Sequence, residues 1–247
     1  MKTHTHSSAP ALNANGGPAR SPTYDRKLHY TADKAKHYDA NRTGALSTPL
    51  ARHRWQEELR VVEAFAESIS TTSSVLDLPC GTGRFFPIFA SRGHDVIGGD
   101  VSGDMLRAIP ESHRNLPRVI SVRCEVERIP MVDQAVDFVL AMRFWSFLPD
   151  EVRRLALAEW RRVARRGVCL QVRFQRDAIA SKSNRLNDRR RSAEDLPVES
   201  IPAQQRANWP TQRQFTDMIE ASGFELTEMI DLDWGPTDDP VRLCVLR

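Results

Sequence analysis

From residue 74 to residue 174 the chain alternates short apolar runs with helical patterns, and this alternation constrains its fold more than any other feature. SVLDL (74–78), HDVIGGD (94–100), RVISVRC (118–124), AVDFVLAMRF (135–144) and VCLQVRF (168–174) each read as a strand. Apolar runs of this length, bounded by turn residues, suit strands buried on both faces of a sheet. Between them, GRFFPIFASRG (83–93), SGDMLRAI (102–109) and DEVRRLALAEWRRVARR (150–166) read as helices. Strand and helix in regular succession predict an α/β chain. Its sheet is expected to be Rossmann-like, doubly wound and mostly parallel, with helices on both faces. FELTEMIDL and VRLCVLR near the C-terminus read as a hairpin that adds an antiparallel strand.

Local signals set the helix ends. Ser102 is positioned to cap the helix after the second strand. Thr211 with Gln214 three residues on forms a capping-box pattern, and Gly223 stops that helix. Pro87 is tolerated because it falls in a first helical turn, where its missing N–H would have no partner. The basic residues up to Arg166 complement the dipole of the 150–166 helix, which Gly167 is expected to end. Upstream, YTADKAKHYDANR (30–42) is polar and helical in character. In PLARHRWQEELRVVEAFAESIS (49–70), Trp55, Leu59, Val62, Ala66 and Ile69 fall at steps of three and four and draw one apolar stripe.

The organisation that follows is a leader of Ser, Ala, Asn, Gly and Pro over residues 1–25, then one domain over 26–247. Helices at about 28–70 form an N-terminal lid over that domain. A polar insertion at 175–210 follows the fifth strand, at the sheet edge where such folds bind ligands. The chain has 247 residues, a hydrophobic share of 40% and a formal net charge of only +3. That charge is too small to demand nucleic acid or membrane as partner. No apolar stretch approaches the roughly 20 residues that span a bilayer. The four cysteines, Cys80, Cys124, Cys169 and Cys244, are scattered, with no CxxC or Cys/His spacing. They predict a reducing, cytoplasmic setting and no structural metal.

The segment VLDLPCGTGR (75–84) places an acid at a strand end, directly before a glycine turn and a helix. A dinucleotide would put its pyrophosphate on that helix and ask for GxGxxG. Gly81 and Gly83 supply the first two glycines, but Phe86 holds the third position. Asp77 decides between ligands: a carboxylate there repels a pyrophosphate and attracts a cation, such as the ammonium of a methionine moiety near a sulfonium.

VLDLPCGTGRF resembles motif I of the class I S-adenosylmethionine-dependent methyltransferases, and HDVIGGDVSGDML resembles motif II. CEVERIPMVDQAVDFVLAMRFWSFLPD is similar to the third-to-fourth-strand stretch of the ubiquinone/menaquinone-type subgroup, so the likeness covers about residues 30–174. It implies S-adenosylmethionine as cofactor and a small-molecule methyl acceptor. By position it implies that Asp77, Pro79, Gly81 and Gly83 form the turn around the methionine portion. It implies that Asp100 takes the ribose hydroxyls, that Val101 and Met105 pack on the adenine, and that Glu125 with the Val126 backbone meets the adenine amino edge. Met142 and Arg143 would lie beside the transfer site, and Tyr30 and Tyr38 would belong to the lid. Pro79 departs from the family's frequent glycine, so that position cannot need a positive φ. Glu125 replaces a more frequent aspartate.

Phe144, Trp145 and Phe147 point to an apolar or aromatic acceptor, with Arg143 able to meet an anionic group on it. No residue is marked by the sequence as a general base; Tyr38, His37 and His53 are the candidates. Two other readings stay open: a nucleic-acid methyltransferase using the basic 173–191 stretch, against which the fourth strand lacks [DN]PP[YF], and a non-methylating user of the same cofactor and fold. A nicotinamide dehydrogenase is disfavoured by Asp77 and Phe86. The sequence leaves the oligomeric state open.

Overall fold

The structure is a computed structural model that describes residues 32–42, 48–175, 209–235 and 240–247. Its elements in chain order are α1 (Ala32–Arg42), α2 (Pro49–Ser68), β1 (Ser74–Asp77), α3 (Phe86–Ala90), β2 (Asp95–Asp100), α4 (Gly103–Arg107), α5 (Glu111–Arg114), β3 (Val119–Arg123), β4 (Val136–Ala141), α6 (Asp150–Val163), β5 (Ala164–Arg173), α7 (Gln212–Ala221), β6 (Leu226–Leu232) and β7 (Val241–Leu246), with a 3₁₀ turn at Trp145–Phe147. The leader expected over 1–25, Tyr30, and all of the 175–210 insertion except its ends lie outside the described residues. Those ends meet, because Gln175 N–H donates to Pro210 O at 2.8 Å.

The seven strands form one sheet in the order β3-β2-β1-β4-β5-β7-β6. β1 pairs in parallel with β2 and β4, β2 with β3, and β4 with β5. β7 runs antiparallel between β5 and β6, as the C-terminal hairpin reading expects. The order reverses between β1 and β2 on one side and β4 on the other. Crossovers therefore leave opposite faces there, which opens a crevice at the carboxyl ends of β1 and β4.

Apolar cores fill both faces. On one side α6 and α7 bury Trp145, Leu157, Trp160 and Phe215 against β4 and β5. Trp145 stacks tilted on Trp160 at 5.9 Å and edge-on to Phe215 at 6.1 Å. On the other side α2 and α3 bury Val61, Val62, Phe65, Phe86 and Phe89 against β1 and β4. β4 is buried at every residue, as a central parallel strand covered on both faces must be. β3 is an edge strand, and Ile120 on it is exposed.

The Ser102 and Thr211 caps hold as read, whereas α6 starts after Pro149 with no side-chain cap. Ser102 Oγ accepts from Met105 N–H at 3.3 Å. Thr211 and Gln214 form the reciprocal capping box. Helix boundaries differ: the helix read over 83–93 is only Phe86–Ala90, the one over 102–109 is Gly103–Arg107, and α6 stops at Val163, residues 164–166 belonging to β5. Arg165 and Arg166 reach Asp137 from that strand, at 3.1 and 3.3 Å. Their charge answers a specific carboxylate rather than a helix dipole. Gly167 does not end the helix; it sits within β5, where a Cβ would lie 2.1 Å from Leu246 O on β7. The glycine is required by the close approach of two strands.

Candidate functional site

β1 delivers Asp77 to the crevice. The chain then turns through Pro79, after a cis Leu78–Pro79 peptide, to Gly81 (φ 57°) and Gly83 (φ 68°). Only glycine holds such angles without strain. A Cβ on Gly83 would meet Phe86 at 2.6 Å, so the turn has no room for a side chain there. Phe86, in the place of a third glycine, fills a hollow left by Gly98 on β2: a Cβ on Gly98 would lie 2.2 Å from its ring. The small residue that permits close helix–strand packing has moved from the helix to the strand.

Asp100, at the end of β2, braces this turn. Its Oδ2 accepts from Gly81 N–H at 2.9 Å and its Oδ1 from Ser102 N–H at 2.8 Å. Burial raises its pKa, and these backbone donors act against that rise. Each oxygen keeps a lone pair for a further donor, as a ribose hydroxyl would need. Met105 is buried under Gly81, its Cε 3.2 Å from where a Cβ would stand. Val101 is half-buried, and its carbonyl accepts from Arg123 Nε at 3.1 Å.

Asp77 is only 1% exposed, and among the described residues neither of its carboxylate oxygens has a hydrogen-bond partner. Desolvation pushes its pKa well up; nearby Arg84 acts against this, and Asp100 adds to it. A buried, unsatisfied carboxylate is costly, and such a group calls for a ligand donor. Arg84 is the residue that the sequence reading missed. Its guanidinium lies 4.7 Å above the Trp55 ring and 5.5 Å from those of Tyr38 and Phe85, and its Nη1 is buried with no partner among the described residues. Asp77 and Arg84, the latter also 3.9 Å from Asp39 Oδ1, thus put a buried carboxylate and a guanidinium near the same turn, the complement of an amino acid's ammonium and carboxylate. The available signal was a lone arginine directly after the glycine pair.

α1 reaches the same turn. Thr82 Oγ1 donates to Asp39 Oδ1 at 2.7 Å, and Tyr38 carries the ring beside Arg84. Glu125 is half-buried just beyond β3 and bridges to Arg128, while the Val126 side chain packs into the core and leaves its backbone beside Glu125. The structure therefore gathers Asp77, Pro79, Gly81, Gly83, Asp100, Val101 and Met105 around one turn, with Tyr38 above it.

Met142 and Arg143 follow β4. Met142 is buried in the α2-side core. Arg143 has a φ of 52°, and its N–H donates to Gln171 Oε1 at 2.8 Å. Its guanidinium pairs with Glu58 on α2 and lies 5.4 Å from the Trp234 ring. Arg143 is thus already matched by a buried carboxylate, where the sequence reading held it for an anionic acceptor. His53 faces outward to Asp233 at 3.2 Å. Among the described residues no group of His, Cys, Asp and Glu could hold a metal ion.

The residues present fit S-adenosylmethionine: an unpartnered carboxylate for its ammonium, a glycine turn that admits close backbone approach, and an acid at the end of β2. Residues 75–167 match the methyltransferase domain family. An uncharacterized methyltransferase of Mycobacterium tuberculosis is 36% identical over 93 residues, which is 38% of this chain and 36% of that protein. The chain thus spans about a third of the length of the curated relatives it matches. The magnesium protoporphyrin IX methyltransferase of Synechocystis, solved with bound S-adenosylhomocysteine, superposes with a TM-score of 0.62 at 10% identity, over 87% of this chain and 96% of that one. The 1,6-didemethyltoxoflavin-N1-methyltransferase of Burkholderia thailandensis does so with a TM-score of 0.57 at 15% identity, over 94% and 93%.

Residues 75–167 thus carry a methyltransferase domain match, and the fold is that of solved S-adenosylmethionine-dependent methyltransferases. Two of these solved neighbours hold S-adenosylhomocysteine, the product form of S-adenosylmethionine. The ubiquinone/menaquinone-type subgroup is not marked out by any of these likenesses.

Proposed function

We propose that this protein transfers a methyl group from S-adenosylmethionine to a small, apolar or aromatic acceptor. The observation that carries the reading is the buried Asp77 carboxylate, with both oxygens unpartnered among the described residues, at the head of the glycine turn. The bound cofactor supplies a methyl group already activated on a sulfonium. The chain's task is then to hold two reactants in line and to exclude water. Asp77 takes the ammonium and Arg84 the carboxylate of the amino-acid end. Gly81 and Gly83 let the backbone close on it, and Asp100 holds the ribose hydroxyls. Met105 and Val101 pack on the adenine, with Glu125 and the Val126 backbone at its amino edge. Tyr38 contributes to the lid over this site; Tyr30, assigned to the same lid by the sequence, lies outside the described residues.

The acceptor side is formed after β4 by Met142, Arg143, Phe144 and the exposed Phe147; Trp145, expected there from the sequence, is instead buried in the α6-side core against Trp160 and Phe215. Both solved neighbours named above act, by their names, on small molecules, which is consistent with an acceptor of this kind. A small-molecule acceptor accords better with this apolar surround than a nucleic acid does. Among the described residues no helix is long and apolar enough to cross a membrane.

Incubation with methyl-labelled cofactor and a panel of hydroxylated aromatics, aromatic amines, acids and RNA tests the reading. Label on an aromatic small molecule, with stoichiometric S-adenosylhomocysteine, is expected. Label only on RNA, or cofactor binding with no transfer to any class, would contradict it.

A further inference from the structure

Glu58 sits on the apolar stripe of α2, one turn after Trp55, in a chain region where no motif draws attention to it. It is 0% exposed. Its Oε1 receives Arg143, and Gln171 Nε2 donates to the same oxygen at 3.2 Å. Gln171 Oε1 in turn accepts from Arg143 N–H at 2.8 Å. The three residues close a ring that joins α2, the end of β4 and β5. Arg143 is held in the left-handed region, at φ 52°, to complete it. A non-glycine residue kept there is strained, and strain of this sort gathers at functional sites.

Two features make this more than a structural brace. The Oε2 of Glu58 is buried and has no hydrogen-bond partner among the described residues, so the ring leaves one strong acceptor unused. The ring also lies at the carboxyl ends of β4 and β5, beside β1, which carries the glycine turn. On the same helix face Trp55 stacks on Phe85 at 5.4 Å and lies under Arg84, while Glu58 reaches Arg143 beyond β4. One turn of α2 therefore spans the distance from the cofactor turn to the acceptor side.

We propose that Glu58 is a specificity-determining residue for the methyl acceptor, its Oε2 accepting a hydrogen bond from a hydroxyl or amine of an uncharged or cationic substrate. Because the carboxylate already neutralises Arg143, that arginine does not recruit an anionic acceptor; a carboxylate brought to this corner would face Glu58. The inference rests on the methyltransferase reading above and deepens it. Glu58 positions the acceptor and touches no part of the cofactor site.

The test is binding to the full chain saturated with S-adenosylhomocysteine, measured by calorimetry for phenol, catechol, aniline and benzoate, in wild type, Glu58→Gln and the charge-free pair Glu58→Gln with Arg143→Gln. The double variant guards against misfolding from an unpaired buried arginine. The wild type is expected to bind the best donor-bearing probe at least about tenfold more tightly than benzoate. Both variants are expected to lose about tenfold or more on that probe, the scale of one hydrogen bond to a charged group. Affinity for S-adenosylhomocysteine should stay unchanged. Preference for benzoate, no binding of any donor-bearing probe, or equal affinity in wild type and both variants would overturn the proposal. Failure of the wild type to bind S-adenosylhomocysteine would instead overturn the cofactor reading beneath it.

Discussion

Substituting Asp77 by asparagine pulls stability and binding in opposite directions. Burial raises the folded-state pKa of this carboxylate above its unfolded value. Between those two values the folded state binds the extra proton, so stability falls as pH rises through that window. The ligand-free protein carries a buried carboxyl group with no hydrogen-bond partner among the described residues, a costly arrangement in either protonation state. Asp77→Asn is therefore expected to raise the melting temperature of the ligand-free protein by about 2–4 °C for each ~1 kcal/mol recovered. The same change is expected to weaken S-adenosylhomocysteine binding by about tenfold to a hundredfold, through loss of a charge-assisted hydrogen bond. An ammonium needs Asp77 ionised, so wild-type affinity should fall as pH drops through the raised pKa, with a proton released on binding. Calorimetry in two buffers of different ionisation enthalpy reads that proton; wild-type binding that takes up or releases no proton and does not change with pH would contradict the assignment. Asp77 was legible in the sequence because acid and glycine pair are contiguous. Arg84 and Glu58 were not: the first gains its meaning from stacking on Trp55, and the second lies on a stripe that reads as ordinary core.

Among the elements, the β1–turn–α3 unit shows how a missing glycine is accommodated. Phe86 occupies the space above Gly98, so Gly98→Ala would drive a Cβ to 2.2 Å from that ring. A loss of about 1–3 kcal/mol is expected for such overpacking. Urea unfolding of Gly98→Ala alone and combined with Phe86→Leu checks it: the second substitution should restore part of the loss, and independent, additive effects would contradict the packing account. The α1 contact gives a second expectation. Asp39→Ala removes the acceptor of Thr82 Oγ1 at the glycine turn. Faster proteolysis of the N-terminal helix in the ligand-free protein is expected, with protection recovered on adding S-adenosylhomocysteine. Unchanged cleavage rates would show that α1 is held elsewhere. The strands were readable from apolar runs alone. The end of α6 was not, because the stop depends on Ala164 pairing with Val136 across the sheet. Nothing local to Arg165 and Arg166 records that pairing.

For the whole molecule, the order β3-β2-β1-β4-β5-β7-β6 sets the architecture. Alternation predicted the parallel part, and the two C-terminal runs predicted the hairpin. Sequence could not place β7 between β5 and β6, since that depends on Gly167 admitting the backbone of Leu246. The sheet brings the acid of β1, the acid of β2 and the Arg143 corner after β4 to one edge, from positions far apart in the chain. That convergence is what turns separate strand ends into a site. The candidate cofactor residues come from contiguous motifs, so the sequence could name most of them, Arg84 excepted. The proposed acceptor side draws on α2, β4 and β5, and only the fold shows the polar ring of Glu58, Arg143 and Gln171.

The central claim is that the carboxylate closing β1 faces the ammonium of a methionine-derived cofactor. Titration of the full chain with S-adenosylhomocysteine and, separately, with a nicotinamide dinucleotide measures it directly, in wild type and Asp77→Asn. Heat of binding for the first ligand alone, weakened in the variant, is the predicted result. Uptake of the dinucleotide in its place, or equal affinity for S-adenosylhomocysteine with and without the carboxylate, would contradict it.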